Sequence, residues 1–345
     1  MTDQVQVVVA TGLMTGATVA RLAVSVPGGV EVSHVPLGWD DACSEQPLTP
    51  DDLVLVERAH VLVGFPQQIA DLPARAPELC WVQNYGAGYE QVPLDALRGA
   101  GIGLVTAAGA GAVGVAEFAV MALLSLARRA SERYGAQQRR AWERFPTTTL
   151  AGRRATVVGA GEIGSRACGL LAALGLDVAC VRSRPELGPP DGATSVVGPD
   201  DLPAVLGRTD ALVLAAPVTP ETVPLGADAF AALPPGALLV NVGRGGLVDH
   251  HALGAALEQG HLGGAWLDVA PVEPLPPEHP LWRVRNLVVS AHDATATASY
   301  PDDLARLTTV HLQQWLAGEP MSHEVLPAKP PPSRRPCTFR EGEAP

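Results

Sequence analysis

Short apolar runs alternate with stretches of helical periodicity along the first hundred residues. The apolar runs cover Val5 to Val9, Val30 to Val35, Val54 to Leu62 and Cys80 to Gln83. Such alternation of strand and helix patterns is typical of an open parallel α/β sheet. The first hundred residues are therefore predicted to form an α/β domain.

A second series of apolar runs begins at Ala155 and predicts further strands with helical patterns between them. These strands are expected near Ala155 to Val158, Asp177 to Val181, Ala211 to Leu214, Ala237 to Asn241, Gly264 to Leu267 and Leu287 to Ser290. Six strands interleaved with helices fit a doubly wound sheet.

Two longer helical patterns flank the second series. Val115 to Ala136 is apolar around most of its circumference up to Arg128 and Arg129, which predicts a helix buried in a core or between domains or subunits. Tyr300 to Leu316 repeats apolar residues at helical spacing and is predicted to be a closing helix. The Pro-rich, basic segment after Leu326 is predicted to be a disordered tail.

Composition and charge exclude several classes of partner. The chain has 345 residues, of which 47% are hydrophobic and 17% are charged, as expected for a globular protein of two domains. The net charge is −12, so neither a nucleic-acid partner nor an anionic membrane surface is predicted. The apolar stretch 100–127 contains Glu117, a charge that is costly inside a bilayer, so no membrane span is predicted.

The cysteine and lysine content narrows the chemistry. The five cysteines are scattered without CxxC spacing, so neither a zinc site nor a disulfide framework is predicted. No signal-peptide pattern precedes the first strand, and a reducing, cytoplasmic location is expected. Lys329 is the single lysine, which argues against Schiff-base catalysis and against a P-loop phosphate site.

A glycine-rich turn follows the first strand of the second series. It contains Gly159, Gly161 and Gly164, with Glu162 and Ile163 between the last two. A GxGxxG turn between a strand and an amphipathic helix lets the backbone approach a pyrophosphate, which the positive helix terminus attracts. These five residues are therefore predicted to bind a dinucleotide.

The next strand ends in Arg182, Ser183 and Arg184, where dinucleotide-binding sheets usually carry an acidic residue. An acidic residue would repel a 2′-phosphate, whereas guanidinium and hydroxyl groups can donate hydrogen bonds to it. The sequence therefore favours NADP(H) over NAD(H). The alternative is that both arginines are solvated surface residues.

Three further motifs follow strands of the second series. They are Asn-Val-Gly-Arg-Gly-Gly-Leu-Val-Asp at 241–249, Leu-Asp-Val at 267–269 with Glu273-Pro274, and Ser-Ala-His at 290–292. Together with the glycine-rich turn they resemble the D-isomer-specific 2-hydroxyacid dehydrogenase family, and in particular its glyoxylate/hydroxypyruvate reductases. The resemblance covers nearly the whole chain apart from the tail. It implies an oxidoreductase that transfers a hydride between NAD(P)H and a small 2-oxo or D-2-hydroxy acid.

The chemistry of such a reaction accounts for three of these residues. A hydride that reaches the carbonyl carbon leaves negative charge on the oxygen, so a proton donor and a cation are needed. His292 is predicted to be the acid, with Glu273 hydrogen-bonded to its second ring nitrogen, and Arg244 is predicted to bind substrate. The alternatives are that Arg244 caps a helix, that Glu273 forms a surface pair and that His292 is an ordinary loop histidine.

The resemblance implies further contacts. Ala87 and Gly88 would bind the substrate carboxylate through their amides, and Asp268 would hold the nicotinamide carboxamide. Other cofactor contacts are implied at Pro217, Thr222, Val242 and Gly243. A homodimer built around the helix that starts near Val115 is also implied. The sequence departs from the family at Asp293, where an apolar residue is usual, and at Thr106.

Two Rossmann-like, doubly wound parallel-sheet domains are therefore expected, the cofactor domain being inserted into the substrate domain. Residues 1–100 and 297–326 are predicted to form a flavodoxin-like substrate-binding domain, residues 101–296 a dinucleotide-binding domain and residues 327–345 the tail. The alternative function is a dinucleotide-sensing binding protein, similar to co-repressors, that does not turn over a substrate.

Overall fold

The structure is a computed structural model that describes residues 4–37, 48–64 and 71–332. In chain order its strands are β1 Val5–Ala10, β2 Val30–Val35, β3 Val61–Val63, β4 Trp81–Gln83, β5 Gly103–Val105, β6 Arg154–Val158, β7 Asp177–Val181, β8 Ser195–Val197, β9 Ala211–Leu214, β10 Leu238–Asn241, β11 Gly264–Leu267, β12 Leu287–Val289 and β13 Glu324–Leu326. Its α-helices are α1 Gly16–Ser25, α2 Pro50–Glu57, α3 Leu72–Arg75, α4 Leu94–Gly99, α5 Ala112–Ala127, α6 Ala130–Gln138, α7 Glu162–Ala173, α8 Leu202–Leu206, α9 Ala227–Ala232, α10 His250–Glu258 and α11 Tyr300–Ala317. Short 3-10 turns lie at Pro185–Leu187, Pro199–Asp201, Gly245–Leu247 and Pro280–Arg283.

The chain divides into two compact units. Unit 1 contains the residues up to Ala110 and those from Ala298 onward, and unit 2 is Gly111–Thr297. The first boundary therefore lies later than the predicted position at residues 100 and 101. The reason is β5, which had not been predicted from the sequence and which pairs with β4 in the sheet of unit 1.

The sheet of unit 1 has the strand order β2-β1-β3-β4-β5-β13. The first five strands are parallel and follow the order of flavodoxin-like sheets, while β13 is antiparallel to β5. Side chains alternate between its two faces: Val7 and Val9 pack in one core, whereas Val8 and Ala10 pack in the other.

The sheet of unit 2 has seven parallel strands in the order β12-β11-β10-β9-β6-β7-β8. The order reverses between β6 and β9, and ligands of such sheets bind at the reversal, beyond the carboxyl ends of the strands. In β9, Ala211 and Val213 contribute to one core while Leu212 and Leu214 contribute to the other. The predicted class of two doubly wound α/β domains is confirmed.

The predicted strand from Val54 to Leu62 is wrong over most of its length. This segment contains the end of α2 and the first two residues of β3. Thr49 and Asp52 form a reciprocal capping box, and Pro50 occupies the first turn. These are strong signals for a helix start, and they outweigh the β-branched residues that suggested a strand.

The predicted helix from Val115 to Ala136 is two helices, α5 and α6. Arg129 lies between them with a left-handed backbone, φ 52°, which a continuous helix does not accommodate. The predicted closing helix is confirmed as α11. In the ranges that the structure describes, no helix is both long and apolar enough to cross a membrane.

The predicted disordered tail is wrong for residues 327–332, which are packed against unit 1. The indole Nε1 of Trp315 donates to the carbonyl of Lys329 at 2.7 Å, and the Lys329 amide donates to the carbonyl of Cys80 at 3.2 Å. Ala328 lies so close to Gly103 that a Cβ on this glycine would be 2.6 Å from the Ala328 Cα. The other residues of the predicted tail, 333–345, lie outside the described residues.

We expect a chain that ends at Leu326 to be less stable than one that ends at Pro332. The shorter chain loses the acceptor of the Trp315 indole and the strand-like bond to Cys80, which together stabilise by roughly 1–3 kcal/mol. The free energy of unfolding from urea titrations would measure this loss. Equal stability of the two truncated chains would show that the contacts of Lys329 contribute nothing.

Candidate active site

The predicted site residues of unit 2 follow strands that are parallel and adjacent. The glycine-rich turn follows β6, Pro217 follows β9, Arg244 follows β10, Asp268 follows β11 and His292 follows β12. Because the strands are parallel, their carboxyl ends lie along one edge of the sheet. The fold therefore brings the predicted cofactor and catalytic residues to the same edge.

The glycine-rich turn has the close backbone packing that its sequence predicts. Gly159 has φ 103°, and a Cβ on Gly164 would lie 1.8 Å from the Gly159 carbonyl oxygen, so neither position accepts a side chain. Gly161 caps α7, and a Cβ there would meet no atom within 4 Å. The turn therefore leaves open space in front of the helix terminus.

The first turn of α7 offers hydrogen-bond donors to this open space. Ser165 is the first residue of the helix whose amide bonds back to the carbonyl of Gly161, at 2.9 Å. The amides of Glu162, Ile163 and Gly164 therefore have no acceptor within the helix. Amides at a helix terminus that faces open space fit the pyrophosphate of a dinucleotide.

The three polar residues after β7 differ in their environment. Arg182 is partly buried, and its Nη1 donates to the Gly188 carbonyl at 3.0 Å, which folds the loop back on the strand end. Ser183 and Arg184 are exposed. The most exposed groups at this strand end are therefore the Ser183 hydroxyl and the Arg184 guanidinium, while Arg182 is partly covered.

The loop that carries Arg244 is held by a buried amide side chain. Asn241 is fully buried; its Nδ2 donates to the Arg244 carbonyl at 2.9 Å, and its Oδ1 accepts from the Gly243 amide at 3.0 Å. A Cβ on Gly245 would lie 2.0 Å from the carbonyl oxygen of Ala270. This glycine therefore lets the loop of Arg244 pack directly on the loop that leads to Glu273.

His292 and Glu273 form the predicted pair. The Nδ1 of His292 lies 2.7 Å from Oε2 of Glu273, and Oε1 of Glu273 accepts from the Ala270 amide at 2.9 Å. Both side chains remain partly exposed, His292 at 48% and Glu273 at 40%. Glu273 therefore engages Nδ1 of His292 and leaves Nε2 as the nitrogen for other partners.

The surroundings of the pair also shift the pKa values of both groups. The hydrogen bond to Glu273 raises the pKa of His292 above its ordinary value, against the opposing effects of burial and of Arg244. Burial by itself raises the pKa of Glu273, but hydrogen bonds from His292 and Ala270 and the charges of His292 and Arg244 bring it below its ordinary value. The arrangement stabilises an imidazolium and a carboxylate at neutral pH.

Asp268 is buried, with 1% of its surface exposed. Its carboxylate accepts hydrogen bonds from the Ser290 hydroxyl at 2.7 Å, the Asp293 amide at 3.2 Å and the Ala294 amide at 3.1 Å. A carboxylate has about four acceptor positions, so one remains for a ligand such as a carboxamide. Burial raises the pKa of Asp268, while these hydrogen bonds and the charge of His292 oppose the rise.

In unit 1, Ala87 and Gly88 lie in the loop after β4. The side chain of Asn84 donates to the carbonyls of Gly86, at 3.4 Å, and of Gly88. In the described part of the chain, the amides of Ala87 and Gly88 donate to no protein acceptor. Asn84 therefore orients the peptide that carries the Ala87 amide, and both amides remain capable of binding an anion.

The remaining predicted cofactor contacts are less directly supported. Val242 is buried in a core cluster, so its side chain has a packing role. The Gly243 amide already donates to Asn241. Pro217 lies after β9 at the carboxyl edge, and the hydroxyl of Thr222 accepts from the Thr219 amide at 2.8 Å. Among the described residues, no group of three His, Cys, Asp or Glu side chains could hold a metal ion.

Three polar residues that support the site were not predicted from the sequence. Asn84 and Asn241 bind the backbone of the loops with Gly88 and Arg244, and Ser290 binds Asp268. Each stands at or directly after the end of an apolar strand. A lone polar residue at that place is a usable signal, because a buried polar side chain requires hydrogen-bond partners.

Comparison with known proteins agrees with this geometry. Residues 120–294 match the family described as "D-isomer specific 2-hydroxyacid dehydrogenase, NAD binding domain". The D-3-phosphoglycerate dehydrogenase of Mycobacterium bovis is 33% identical over 292 residues, which are 83% of this chain and 54% of that protein. Glyoxylate/hydroxypyruvate reductase A of Salmonella newport is 32% identical over 237 residues, which are 68% of this chain and 71% of that protein. The chain thus spans about half the length of the phosphoglycerate dehydrogenases that it matches.

A solved structure shares the fold along nearly the whole chain. It is described as an NADPH-dependent glyoxylate/hydroxypyruvate reductase from Sinorhizobium meliloti in complex with NADP and sulfate. It is 27% identical with a TM-score of 0.73, and the match covers 93% of this chain and 98% of that one. The family match covers just over half of this chain, and the match to the Salmonella reductase covers more than two thirds of that protein. The chain therefore belongs to the D-isomer-specific 2-hydroxyacid dehydrogenase family.

Proposed function

We propose that this protein transfers a hydride between NAD(P)H and a small 2-oxo acid of the glyoxylate or hydroxypyruvate class, giving the D-2-hydroxy acid. The observation that carries the proposal is the hydrogen-bonded pair of His292 and Glu273, 2.7 Å apart, on the sheet edge that also carries Arg244 and the glycine-rich turn. The similarity to the Salmonella reductase supports the substrate class.

His292 is the proton donor in this proposal. Glu273 engages Nδ1, so Nε2 is the nitrogen that can give its proton to the substrate oxygen. The nicotinamide, when bound, supplies the hydride to the carbonyl carbon. After the step His292 is neutral and keeps the proton on Nδ1, where Glu273 still accepts it. The reverse reaction starts from this neutral imidazole, which takes the hydroxyl proton.

Arg244 binds the substrate and stabilises the oxygen on which charge develops. A guanidinium offers parallel donors that match a carboxylate and an adjacent oxyanion. Asn241 holds the backbone of Arg244 at 2.9 Å, so the position of this residue is fixed before substrate binds. The amides of Ala87 and Gly88 are proposed to bind the substrate carboxylate as well.

NADP(H) is proposed as the favoured cofactor. The end of β7 carries the exposed Ser183 and Arg184 in place of a carboxylate, and both can donate to a 2′-phosphate. The pyrophosphate would be held by the amides at the start of α7, and the remaining acceptor position of Asp268 would take a carboxamide proton. Pro217 and Thr222 are proposed to line the cofactor site.

A homodimer is proposed through the outer face of α5. This face exposes Val113, Met121 and Leu124, which recur at helical spacing. Apolar side chains aligned on one exposed helix face are typical of a protein interface. Light scattering in solution would test this, because a dimer has twice the mass of the chain.

A cytoplasmic location is proposed from the free, buried thiols of Cys168 and Cys180.

We expect the purified chain to oxidise NADPH in the presence of glyoxylate or hydroxypyruvate. Arg244→Lys should lower kcat/KM by an amount that corresponds to a loss of roughly 2–4 kcal/mol of transition-state stabilisation. Lysine retains the charge but loses the parallel donors. Steady-state rates with a panel of 2-oxo acids measure both effects. Arg285→Lys, at an exposed position after the Pro280–Arg283 turn, is the matched control. Absence of turnover with every 2-oxo acid would reject the proposed reaction.

We expect Glu273→Gln to move the pH profiles of both directions toward acid. The variant loses the main interaction that raises the pKa of His292, so the protonated acid needed for reduction is lost at lower pH. Oxidation requires neutral His292, so the fall of the oxidation rate on the acid side of its profile should also move to lower pH. Rates from pH 5 to 10 would show this shift, with Glu278→Gln as the control in the same loop. Unchanged profiles would exclude Glu273 as the partner.

We expect Arg184→Asp to reduce the preference for NADPH over NADH. A hydrogen bond between charged groups contributes roughly 1.5–3 kcal/mol, so the ratio of the two kcat/KM values should fall on the order of 10–100-fold. Arg208→Asp, just before β9 at the opposite edge of the sheet, should leave the ratio unchanged. A preference that survives Arg184→Asp would place the discrimination elsewhere.

A further inference from the structure

A chain of side-chain hydrogen bonds joins Trp266 and Ser290 to Asp268. The indole Nε1 of Trp266 lies 3.0 Å from the Ser290 hydroxyl, and this hydroxyl lies 2.7 Å from Oδ1 of Asp268. An indole only donates, and a hydroxyl has a single hydrogen. The direction is therefore fixed: Trp266 donates to Ser290, and Ser290 donates to Asp268.

Parallel pairing of β11 and β12 accounts for this juxtaposition. Trp266 pairs with Val288 and Leu267 with Val289, so the residues that follow the two strands lie side by side. The Ser290 amide also donates to the Leu267 carbonyl at 2.9 Å, which continues the ladder by one residue. The ring of Trp266 packs edge to face on Phe118 of α5, with centroids 5.8 Å apart. Trp266 is thus fixed at both its apolar and its polar end.

At its Asp268 end, this chain of hydrogen bonds is joined to the backbone of the loop that contains His292. The amide of His292 donates to the Asp268 carbonyl at 2.8 Å, and the amides of Asp293 and Ala294 donate to its carboxylate. Three successive amides therefore converge on one residue. His292 itself has φ 54°, a left-handed conformation that is uncommon for a residue with a side chain and that persists where the surroundings hold it.

We propose that Ser290 and Trp266 are positioning residues, which keep the Asp268 carboxylate ionised and in place so that it holds the loop of His292 in its left-handed conformation. This proposal rests on the proposed role of His292 as the acid. Neither residue touches a reacting atom. They act through Asp268, whose carboxylate accepts hydrogen bonds from the hydroxyl and from two amides of the loop.

The electrostatics of the site point in the same direction. Burial raises the pKa of Asp268, and the Ser290 hydroxyl is the strongest of the groups that oppose this rise. The charge of Asp268 in turn helps to raise the pKa of His292. The other charged groups that act on His292 are Glu273 and Arg244, from the loops after β11 and β10. Loss of the Ser290 hydroxyl should therefore favour neutral Asp268 and lower the pKa of His292.

The test measures the pKa of His292 directly as well as the rate. In Ser290→Ala we expect the Cε1–H resonance of His292, assigned by its loss in His292→Asn, to titrate at least about 0.5 pH unit lower. The kcat for reduction should fall on the order of tenfold, with its alkaline limb displaced toward acid, because the loop is less well fixed. Ser290→Thr keeps the hydroxyl and should restore both. Trp266→Phe keeps an aromatic ring but loses the indole N–H. It should lower the titration of His292 and the kcat by less than Ser290→Ala does.

Ser195→Ala, in the edge strand β8, is the matched control and should change neither quantity. An unchanged His292 titration in Ser290→Ala, or failure of Ser290→Thr to restore it, would overturn the proposal. An unchanged His292 titration in Trp266→Phe would show that Trp266 is not a positioning residue. The NMR titration needs no substrate. If the wild-type chain reduced no 2-oxo acid, the proposed function would fail while the titration still decided the role of Ser290.

Discussion

Parallel pairing in one register underlies the chemistry of unit 2. The last residues of β9, β10, β11 and β12 are all in line: Asn241 pairs with Leu214 and with Leu267, and Leu267 pairs with Val289. The loops that follow therefore begin level with one another at one edge. Arg244, Asp268 and His292 each come within three residues of a strand end. A slip of one residue in any pair would turn its side chains to the other face of the sheet.

Buried polar side chains at these strand ends connect the rigid sheet to the reactive loops. Asn241 and Asp268 are almost completely buried, which costs several kcal/mol for a polar group without partners. Both recover this cost by binding backbone groups of the loop that carries the functional residue. Asn241 holds the loop of Arg244, and Asp268 holds the loop of His292. The position of each charged group is thus set by the sheet.

Much of this organisation can be predicted from the sequence, because it is periodic or local. The alternation of apolar residues identifies most strands, and the glycine-rich turn identifies its own backbone. The residues that support the site leave a weaker local signal, a lone polar residue at a strand end, which does not identify the hydrogen-bond partner. Trp266 and Ser290 are 24 residues apart, and Ser290 and Asp268 are 22 apart, so their bonds depend on strand pairing. The three-residue strands β5 and β8 were not predicted either, whereas β4 and β12, which are equally short, were.

The environments of the charged groups at this edge decide how the site responds to pH. A guanidinium stays protonated wherever a protein stays folded, and the pKa of Glu273 lies below its usual value. On the alkaline side, His292 is therefore the group that changes charge. On the acid side His292 is already protonated, so a loss of reduction there needs another group. Asp268 is a candidate for that group, because burial raises the pKa of its carboxyl whereas the pKa of Glu273 is lowered. Protonated Asp268 would give up an acceptor position and release part of the His292 loop.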